Sequence, residues 1–380
     1  DSRQFKCGFS SVHQARVPTL GAMVSTKANS RLRLICKQLS PVPSTSSAAN
    51  TQVLIASLPT GPLRVENFRV QQAPAATPRD GEVLVQTLAI TMGAGQRAGL
   101  QGSASYAGAA RADVLMGGSG IARVLSSNHP DYSPGDWVAG PTGWQEKAVL
   151  SGSSLTKVSA DIDVETHLGA LGVNGLTAYF GLLDVGAPKS GETVVVSAAA
   201  GSVGHMVGQL AKITGCRVVG VAGSEKKCAF LVSELGFDAA VNYKSPSFRE
   251  DFKAATPRRV DVYFDNTGGD TLSAALFRMN RKGRIVCCGN ASAYDTDKPA
   301  GGPRGVPGLL VNNEVRMQGF LVFSYAKRYH EARAQLLEWI RLGKLKPKTT
   351  VYEGLSQAPQ AFVDLLNGVN QGTTIVRVVD

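Results

Sequence analysis

The sequence predicts an α/β fold in two parts, a β-rich domain and a doubly wound parallel sheet. The chain of 380 residues is longer than one hydrophobic core usually supports. Residues 51 to about 161 show short alternating segments separated by turn residues, as expected for strands. From about residue 167, apolar strands alternate with amphipathic helices, which indicates parallel βαβ units. We therefore predict a β-rich domain at 51–165 and 326–380 and a parallel-sheet domain at 166–325.

The first fifty residues differ in composition from the rest of the chain. They carry seven Lys and Arg against the single acid Asp1, are rich in Ser, and end in a Pro/Ser stretch. This composition is typical of an organellar transit peptide. The alternative is that they are sequence upstream of a start at Met23. In either case, we expect residues 1–50 to be poorly ordered and to lie outside the folded domains.

Charge and cysteine content narrow the classes of function. The net charge is +11, of which the first fifty residues contribute +6, and the rest shows no Lys/Arg run with interleaved aromatic residues. We therefore expect no nucleic-acid partner. No apolar run approaches the roughly 20 residues of a membrane helix, so we expect no membrane span. The six cysteines are spaced neither as a disulfide framework nor as a metal site, and we expect reduced thiols.

The elements can be assigned in chain order. In the first domain, Glu82–Ile90 alternates apolar and polar residues, and residues 128–136 form a turn. The clearest parallel unit begins with the strand Thr193–Ser197, continues in an amphipathic helix that Gly215 ends, and reaches a second strand at Arg217–Val221. Four more strands are predicted near Ala240–Asn242, Val260–Phe264, Arg284–Cys288 and Met317–Val322, and two late helices near Arg328–Leu342 and Ala358–Leu366.

A glycine-rich turn joins the first parallel strand to its helix. Residues Ala199–Gly204 match the pattern G-x-G-x-x-G with alanine in the first position. Such a turn presents backbone N–H groups and a helix N-terminus to a pyrophosphate, and its last glycine lets helix and strand pack closely. Because strands precede and follow it at the expected interval, we interpret it as a dinucleotide site. The alternative is a glycine turn that serves packing alone.

The end of the second parallel strand indicates which dinucleotide is bound. An NAD site places Asp or Glu there to bind the ribose 2′-hydroxyl, whereas this chain continues Val221–Ser224 without a carboxylate. Ser224 is placed as an N-cap, and Lys227 lies in the first turn of the next helix, where Glu225 only partly offsets its charge. We therefore predict NADPH as the cofactor. The alternative for Lys227 is an ordinary solvated lysine.

The distribution of cysteine and histidine argues against zinc chemistry. Zinc alcohol dehydrogenases of this architecture use Cys and His ligands in the first domain, but residues 51–215 contain no cysteine. His129, His167, His205 and His330 stand apart in the sequence and are expected to be structural or exposed. Without a metal, the hydride acceptor must already be electrophilic, as conjugated enals, enones and quinones are. A hydroxyl placed at the developing oxyanion would contribute about 3 kcal/mol.

Six sequence blocks occur in order between residues 52 and 380. They are Gly175–Leu182, Ser197–Gly204, Gly223–Cys228, Leu235–Lys244, Phe264–Gly269 and Arg316–Phe320. Together they resemble the zinc-independent prostaglandin reductase and plant-type alkenal double-bond reductase branch of the medium-chain dehydrogenase/reductase superfamily. The resemblance implies a Rossmann domain that binds NADPH, a GroES-like catalytic domain, and a homodimer commonly formed by edge strands of the cofactor domain.

The resemblance also assigns roles to individual residues. It implies that the glycine-rich turn lines the pyrophosphate, that a second group holds the 2′-phosphate, that Asn266 contacts the cofactor, and that Tyr294 lies beside the nicotinamide and the substrate as the catalytic hydroxyl. The implied cofactor-binding positions are Gly201, Ser202, Val203 and Gly204 at the pyrophosphate, Gly223, Lys227 and Tyr243 at the 2′-phosphate, and Asn266, Cys288, Gly289, Phe320, Leu321, Val322 and Asn370 elsewhere. The structural alternatives are a buried thiol for Cys288, packing aromatics for Tyr243 and Tyr294, and a turn residue for Asn266.

Two positions depart from the family pattern. Gly93–Arg97 stands where the family usually has Asp-Pro-Tyr-Met-Arg, so that Gly95 replaces a substrate-facing tyrosine, and Thr373 stands where a lysine is common. We expect a more open pocket, in which Tyr294 or the cofactor ribose stabilises more of the oxyanion. The loop of residues 298–308 is expected to form a flap over the cleft or an inert surface loop.

The leading hypothesis is an enzyme that uses NADPH to reduce the carbon–carbon double bond of small α,β-unsaturated aldehydes or ketones. A quinone oxidoreductase and an enoyl-thioester reductase are alternatives with related chemistry. A catalytically idle NADPH-binding protein is the alternative from a different class, and the loss of tyrosine at Gly95 is the feature that favours it. The expected compartment is the cytoplasm, or a plastid or mitochondrion if residues 1–50 are a transit peptide.

Overall fold

The structure is a computed structural model that describes residues 49–102, 109–296 and 302–379. Residues 1–48 of the N-terminal segment and residues 298–301 of the predicted flap lie outside the described residues. No helix in the described ranges is long and apolar enough to cross a membrane. The folded part consists of a three-stranded, a six-stranded and a seven-stranded sheet with helices packed on them.

The first part of the chain is rich in antiparallel strands. Its elements are β1 (Asn50–Ile55), β2 (Phe68–Ala73), β3 (Glu82–Met92), α1 (Ala94–Leu100), β4 (Val114–Leu115), β5 (Gly120–Ser127), β6 (Trp137–Gly140), β7 (Lys147–Ser151), β8 (Thr156–Lys157) and α2 (Val164–Leu168). Along β3, buried and part-exposed residues alternate, which matches the two-residue period of a strand with one face in the core. β3 pairs antiparallel with β5 and β7 and thereby forms the centre of the seven-stranded sheet.

The middle of the chain repeats strand and helix. Its elements are α3 (Val173–Phe180), β9 (Thr193–Val196), α4 (Gly204–Ile213), β10 (Arg217–Ala222), α5 (Glu225–Ser233), β11 (Ala239–Asn242), α6 (Phe248–Ala255), β12 (Val260–Asp265), α7 (Gly269–Leu276), β13 (Met279–Cys287), α8 (Val306–Asn313) and β14 (Arg316–Gly319). All four residues of β9 are buried, as expected for a strand covered by helices on both faces.

The six strands from β9 to β14 form one sheet in the order β11-β10-β9-β12-β13-β14. Each neighbouring pair is parallel, which confirms the predicted doubly wound α/β fold. The strand order reverses between β9 and β12, and ligands of such sheets bind outside the carboxyl ends of the strands at this reversal. One strand differs from its predicted extent, because β14 ends at Gly319 and residues 322–328 form a 3-10 helix.

The C-terminal residues return to the seven-stranded sheet. The elements are α9 (Tyr329–Arg341), β15 (Thr349–Glu353), α10 (Ala358–Leu366) and β16 (Thr373–Arg377). β16 pairs antiparallel with β3 and parallel with β15. The packing of α9 differs from the predicted domain boundary at residue 326, because this helix packs against the six-stranded sheet. Leu336 of α9 belongs to the same hydrophobic cluster as Val194 of β9 and Leu210 of α4. By packing, therefore, the chain changes from one sheet to the other after α9.

Candidate active site

A cleft of about 1340 Å³ opens at the carboxyl ends of the six parallel strands. Its other wall comes from the end of β3, from α1 and from residues 109–119. All fifteen residues predicted for the site line this cleft: Gly201, Ser202, Val203, Gly204, Gly223, Lys227, Tyr243, Asn266, Cys288, Gly289, Tyr294, Phe320, Leu321, Val322 and Asn370. The fold therefore brings together residues that are spread over 170 positions of the sequence, and their individual roles remain predictions.

The glycine-rich turn is shaped by close backbone contacts. Ala198 adopts a left-handed conformation with φ +47°, and the Gly201 N–H donates to the Ala198 carbonyl at 2.9 Å. A Cβ at Gly204 would collide with that same carbonyl oxygen, so only glycine fits where α4 begins. The turn thus places the N-terminus of α4 at the cleft, which is the geometry expected for a pyrophosphate site.

The segment before β16 supports this turn from the opposite side. The Gly372 N–H donates to the Ala200 carbonyl at 2.9 Å. Asn370 is buried, and its side-chain amide donates to the Gly372 carbonyl at 2.8 Å. The structure therefore places Asn370 as a residue that holds its own loop against the glycine-rich turn, at the edge of the cleft.

The predicted 2′-phosphate group forms a cationic corner of the cleft. The Ser224 hydroxyl accepts from the Lys227 N–H at 3.3 Å, which confirms the predicted N-cap of α5. A Cβ at Gly223 would lie 3.0 Å from the Tyr243 ring, so glycine lets the tyrosine lie against the backbone. Burial and the nearby Lys244 ammonium lower the pKa of Lys227. The Lys227 and Lys244 ammonium groups repel each other, and a bound polyanion would offset this repulsion.

Lys244 is a residue of this corner that the sequence reasoning did not assign. It lines the cleft, and its Nζ lies 5.9 Å from the centre of the Tyr243 ring. The Glu225 carboxylate accepts from the Asn242 side-chain amide at 2.9 Å, which directs it toward the neighbouring strand end. Lys244 directly follows Tyr243 in the block Leu235–Lys244, and this adjacency is the sequence signal that could have identified it.

Asn266 and the buried carboxylate beside it shape the loop after β12. The Asn266 amide donates to the Ser197 carbonyl at 2.7 Å, so part of its hydrogen bonding holds the end of β9. Asp265 is buried, and this burial raises the pKa of its carboxyl group even though the Gly268 and Thr267 N–H groups donate to it. These bonds fix the strand ends at the point where the sheet order reverses.

The loop after β13 carries Cys288, Gly289 and Tyr294. The Cys288 and Gly289 N–H groups both donate to the Asp265 carbonyl, at 2.8 and 3.1 Å. Burial raises the pKa of the Cys288 thiol to about 12, so the sulfur is a protonated, unreactive wall of the cleft at neutral pH. The Tyr294 hydroxyl oxygen accepts from the Asn290 N–H at 3.3 Å, which leaves its own proton free to be donated elsewhere.

A buried ion pair, missed from the sequence, ties this loop to the opposite wall. Asp295, next to Tyr294, accepts from the Arg97 Nε at 2.8 Å and from the Leu63 N–H. Arg97 lies on α1 with only 2% of its surface exposed, and its second nitrogen donates to the Gly61 carbonyl at 2.8 Å. The pair joins residues 198 positions apart and sets where Tyr294 stands over the cleft. The sequence motif contained Arg97 but gave no sign of its partner.

The segment after β14 forms another part of the cleft wall. The family resemblance implies that Phe320, Leu321 and Val322 offer backbone groups to the carboxamide of the nicotinamide, and all three line the cleft. The Leu321 carbonyl accepts from the Ser324 N–H at 3.1 Å, and the Val322 carbonyl from the Tyr329 hydroxyl at 3.1 Å. Each of the two carbonyl oxygens therefore already accepts one hydrogen bond, so a carboxamide N–H would be a second donor to the same oxygen.

Small residues line the wall that faces Tyr294. Gly93, Gly95, Gly117 and Gly118 all border the cleft. A Cβ at Gly93 or Gly117 would meet no atom within 4 Å among the described residues, so the backbone here borders open space. An open pocket at Gly95, in place of the tyrosine of the family pattern, stays a prediction. In the described ranges, no group of three or more His, Cys, Asp and Glu side chains is arranged to hold a metal ion.

Comparison with known proteins gives a consistent picture. Residues 51–158 match a family described as the N-terminal domain of oxidoreductase, and residues 202–341 match one described as zinc-binding dehydrogenase. The chain is 39% identical over 334 residues to the NADPH-dependent curcumin reductase of Escherichia coli, covering 87% of this chain and 97% of that protein. It is 39% identical over 317 residues to prostaglandin reductase 1 of Bos taurus, covering 82% and 94%.

A solved structure agrees with this likeness. The crystal structure of CurA from Vibrio vulnificus in complex with NADPH superposes with a TM-score of 0.83 at 37% sequence identity, and the match covers 87% of this chain and 99% of that one. The likeness therefore extends over both large sheets and the cleft between their walls.

Proposed function

Because this chain belongs to the prostaglandin reductase and alkenal double-bond reductase branch of the medium-chain dehydrogenase/reductase superfamily, we propose that it reduces the carbon–carbon double bond of α,β-unsaturated aldehydes and ketones. It is an oxidoreductase, and its cofactor is NADPH. One observation carries the proposal. The glycine-rich turn, the cationic corner and the Tyr294 hydroxyl line the same cleft, opposite a wall of small residues that leaves room for an acceptor.

The residues present fit the cofactor. A Cβ at Gly204 would collide with the Ala198 carbonyl, and one at Gly223 would lie 3.0 Å from the Tyr243 ring, so glycine allows close packing at both positions that border the cleft. Lys227 and Lys244 supply positive charge at the end of β10, where an NAD site would carry a carboxylate. The cofactor supplies the hydride when bound, and the protein orients it with these groups.

The acceptor side needs one well-placed donor. When hydride reaches the β-carbon of an enone, negative charge moves to the carbonyl oxygen, and a hydrogen-bond donor at that oxygen lowers the barrier by about 3 kcal/mol. Tyr294 is the candidate, because its oxygen is held by the Asn290 N–H and its proton is free. The buried Arg97–Asp295 pair holds the loop that carries it.

The reaction is tested by NADPH oxidation with the full chain against 2-alkenals, cyclic and aryl enones, quinones and saturated aldehydes, with NADH as the control. Conversion of enals or enones to saturated carbonyls, with NADPH preferred, is the expected result. Faster turnover of quinones would favour the quinone oxidoreductase. Cofactor binding without reduction of any acceptor would favour the idle NADPH-binding protein and contradict the proposed reaction.

We propose further that the reaction needs no metal. The absence of cysteine from residues 51–215 and the lack of a ligand cluster in the part of the chain that the structure describes both support this. The check is elemental analysis together with dialysis against a chelator. We expect no stoichiometric zinc, since the described ranges hold no ligand cluster for it, and unchanged turnover after dialysis. Loss of activity that zinc restores would contradict the proposal.

We also propose a homodimer in which two six-stranded sheets meet at β14. Within the described ranges, β14 pairs with β13 alone, so its other edge is available for a strand of a second copy. Beside it, Val311 of α8 is 76% exposed, the highest value among the large apolar side chains in the described ranges. Sedimentation velocity should show twice the chain mass of 39.9 kDa, and Val311→Glu should weaken the dimer. A monomer at micromolar concentration would contradict this.

The composition of the N-terminal segment is the basis of a proposal about the compartment. We propose that the protein acts in a plastid or mitochondrion if residues 1–50 direct import, and in the cytoplasm otherwise. Fusing residues 1–50 to a fluorescent protein distinguishes the two. Organellar fluorescence with removal of the segment supports the transit peptide, and diffuse fluorescence of the intact fusion supports the cytoplasm.

A further inference from the structure

His205 is a buried side chain that the proposed chemistry does not use. It lies in the first turn of α4, directly after Gly204, and none of its surface is exposed. Both ring nitrogens have backbone partners. Nδ1 lies 2.8 Å from the Gly201 carbonyl oxygen, and the Lys348 N–H donates to Nε2 at 3.1 Å. The ring thus bridges two backbone positions 147 residues apart.

The partners fix the protonation of the ring. A backbone N–H can only donate, so Nε2 must carry the lone pair, and the single proton of the neutral ring must be on Nδ1, where it is donated to the Gly201 carbonyl. Burial and, to a smaller extent, the Lys348 ammonium lower the pKa of His205 to about 4, so the ring is neutral at physiological pH. The ring, called the strut below, therefore donates one hydrogen bond through Nδ1 to Gly201 and accepts one at Nε2 from Lys348.

The two ends of this strut belong to different parts of the cleft. Gly201 is in the glycine-rich turn. Lys348 directly precedes β15 of the seven-stranded sheet, and its carbonyl accepts from the Thr373 N–H at the start of β16 at 2.8 Å. One turn further along α4, the Gln209 side chain donates to the Lys346 carbonyl at 3.2 Å and accepts from the Lys346 N–H at 2.8 Å. One face of α4 is therefore fastened to residues 346–348.

We infer that His205 is a positioning residue that holds the glycine-rich turn in fixed register with the seven-stranded sheet, so that bound NADPH and the acceptor wall keep one relative placement. The inference rests on the cofactor part of the proposed function. It does not depend on which acceptor is reduced. His205 and Lys348 do not line the cleft, and the ring acts through the backbone of Gly201 and Lys348.

Two half-variants separate the ends of the strut. His205→Asn keeps an amide donor near the position of Nδ1 and loses the acceptor for Lys348, whereas His205→Gln keeps an acceptor near Nε2 and loses the donor to Gly201. If both hydrogen bonds of the ring are needed to hold the turn, the loss of either one should weaken NADPH binding. Both half-variants, and His205→Leu, should therefore raise the NADPH dissociation constant by a similar factor of about five to ten, the equivalent of one hydrogen bond.

His167 offers a matched control. It is also buried, at 8% exposure, and one of its nitrogens lies 2.8 Å from the Ser159 carbonyl, but it does not line the cleft. His167→Asn should lower the urea midpoint to a similar extent, while the NADPH dissociation constant stays within about twofold of the wild-type value, since its hydrogen bond is remote from the turn. This separates positioning of the cofactor from general loss of stability.

The experiment is a fluorescence titration of the full chain and its variants with NADPH, together with the primary isotope effect on turnover. Equal weakening in all three His205 variants, with His167→Asn unchanged, supports the inference. Wild-type affinity in His205→Asn would overturn it, because the link to Lys348 would then have no effect on the cofactor.

A measurement on the wild-type protein covers the case in which the variants fail to fold. Nitrogen-15 NMR of labelled histidine should show one residue with the proton on Nδ1 throughout pH 6 to 8, whose Nε2 signal shifts on addition of NADPH. A proton on Nε2 of His205 would overturn the inference. If no acceptor on the enzymatic panel were reduced, the proposed reaction would fail, while the NADPH titration would still decide the role of His205.

Discussion

The two walls of the cleft are built in different ways. The cofactor wall consists of backbone turns with no spare room, as at Gly204, where a Cβ would collide with the Ala198 carbonyl. On the acceptor wall, a Cβ at Gly93 or Gly117 would meet no atom of the described residues within 4 Å. The Tyr294 hydroxyl, the candidate donor that faces this wall, stands on a loop held by the Arg97–Asp295 ion pair. The turns of the cofactor wall are thus shaped by local sequence, whereas the loop that carries Tyr294 is positioned by long-range contacts. Substitutions on the two walls should therefore change different quantities.

The largest expected effect comes from breaking the Arg97–Asp295 ion pair beside Tyr294. Arg97→Met leaves the Asp295 carboxylate, 15% exposed, without its charged partner, and stranding a buried charge costs about 3–5 kcal/mol of unfolding free energy. Urea unfolding measures this loss. The double variant Arg97→Met, Asp295→Asn removes the stranded charge and should recover part of the stability. Equal midpoints for the wild type and the single variant would show that the pair is not what holds the loop.

Removing the donor itself comes next. Tyr294→Phe should lower kcat by a factor of about 10² to 10³, because one donor to the developing oxyanion contributes about 3 kcal/mol. The NADPH dissociation constant should be unchanged, since the hydroxyl is placed on the acceptor side. Steady-state kinetics with a 2-alkenal and a parallel NADPH titration provide the two values. Normal kcat in this variant would remove Tyr294 from the role and leave it as a packing aromatic.

Substitutions in the cationic corner should instead weaken NADPH binding and leave kcat nearly unchanged. Lys227→Ala removes a charge from the predicted 2′-phosphate site and should raise the NADPH dissociation constant about 10- to 100-fold, the range for a hydrogen bond to a charged group. Binding of NADH and kcat at saturating NADPH should change little. Lys244→Ala should show a smaller loss of the same kind. Equal weakening of NADPH and NADH in the Lys227 variant would place this lysine elsewhere than at the 2′-phosphate.

The same corner should give a pH dependence. Burial and Lys244 lower the pKa of Lys227, so its charge is present at low pH and is lost as pH rises through the lowered value. NADPH affinity should therefore begin to fall at a pH below the ordinary titration range of lysine, about 10.4. NADH affinity over the same range is the control. A flat NADPH profile up to that pH would contradict the lowered pKa of Lys227, whose main cause is burial.

The smallest expected effect concerns the open wall. Gly95→Tyr should lower kcat/KM for bulky aryl enones about tenfold relative to short 2-alkenals, because a filled pocket discriminates by about 1–3 kcal/mol. Gly95→Ala, which adds little volume, is the matched control and should leave the ratio near that of the wild type. A ratio that does not move in the tyrosine variant would mean that residue 95 does not face the acceptor.

The sequence allowed one of these walls to be predicted much better than the other. The strand at Thr193, the turn through Gly204 and the cap at Ser224 are local patterns, because each depends on residues a few positions apart. By contrast, Arg97 and Asp295, or His205 and Lys348, meet only after the two sheets have packed. The packing of α9 through Leu336 is of the same kind, since an amphipathic helix does not show in its sequence which sheet it will cover.

The proposed hydride transfer to the β-carbon is tested most directly by following a deuterium label. NADPH deuterated at the transferred position is incubated with the full chain and a 2-alkenal, and the product is analysed by NMR. The saturated aldehyde with deuterium on its β-carbon and an unlabelled aldehyde hydrogen is the predicted product. An unsaturated alcohol with deuterium on the former carbonyl carbon would contradict the account, because the cleft would then direct hydride to the carbonyl.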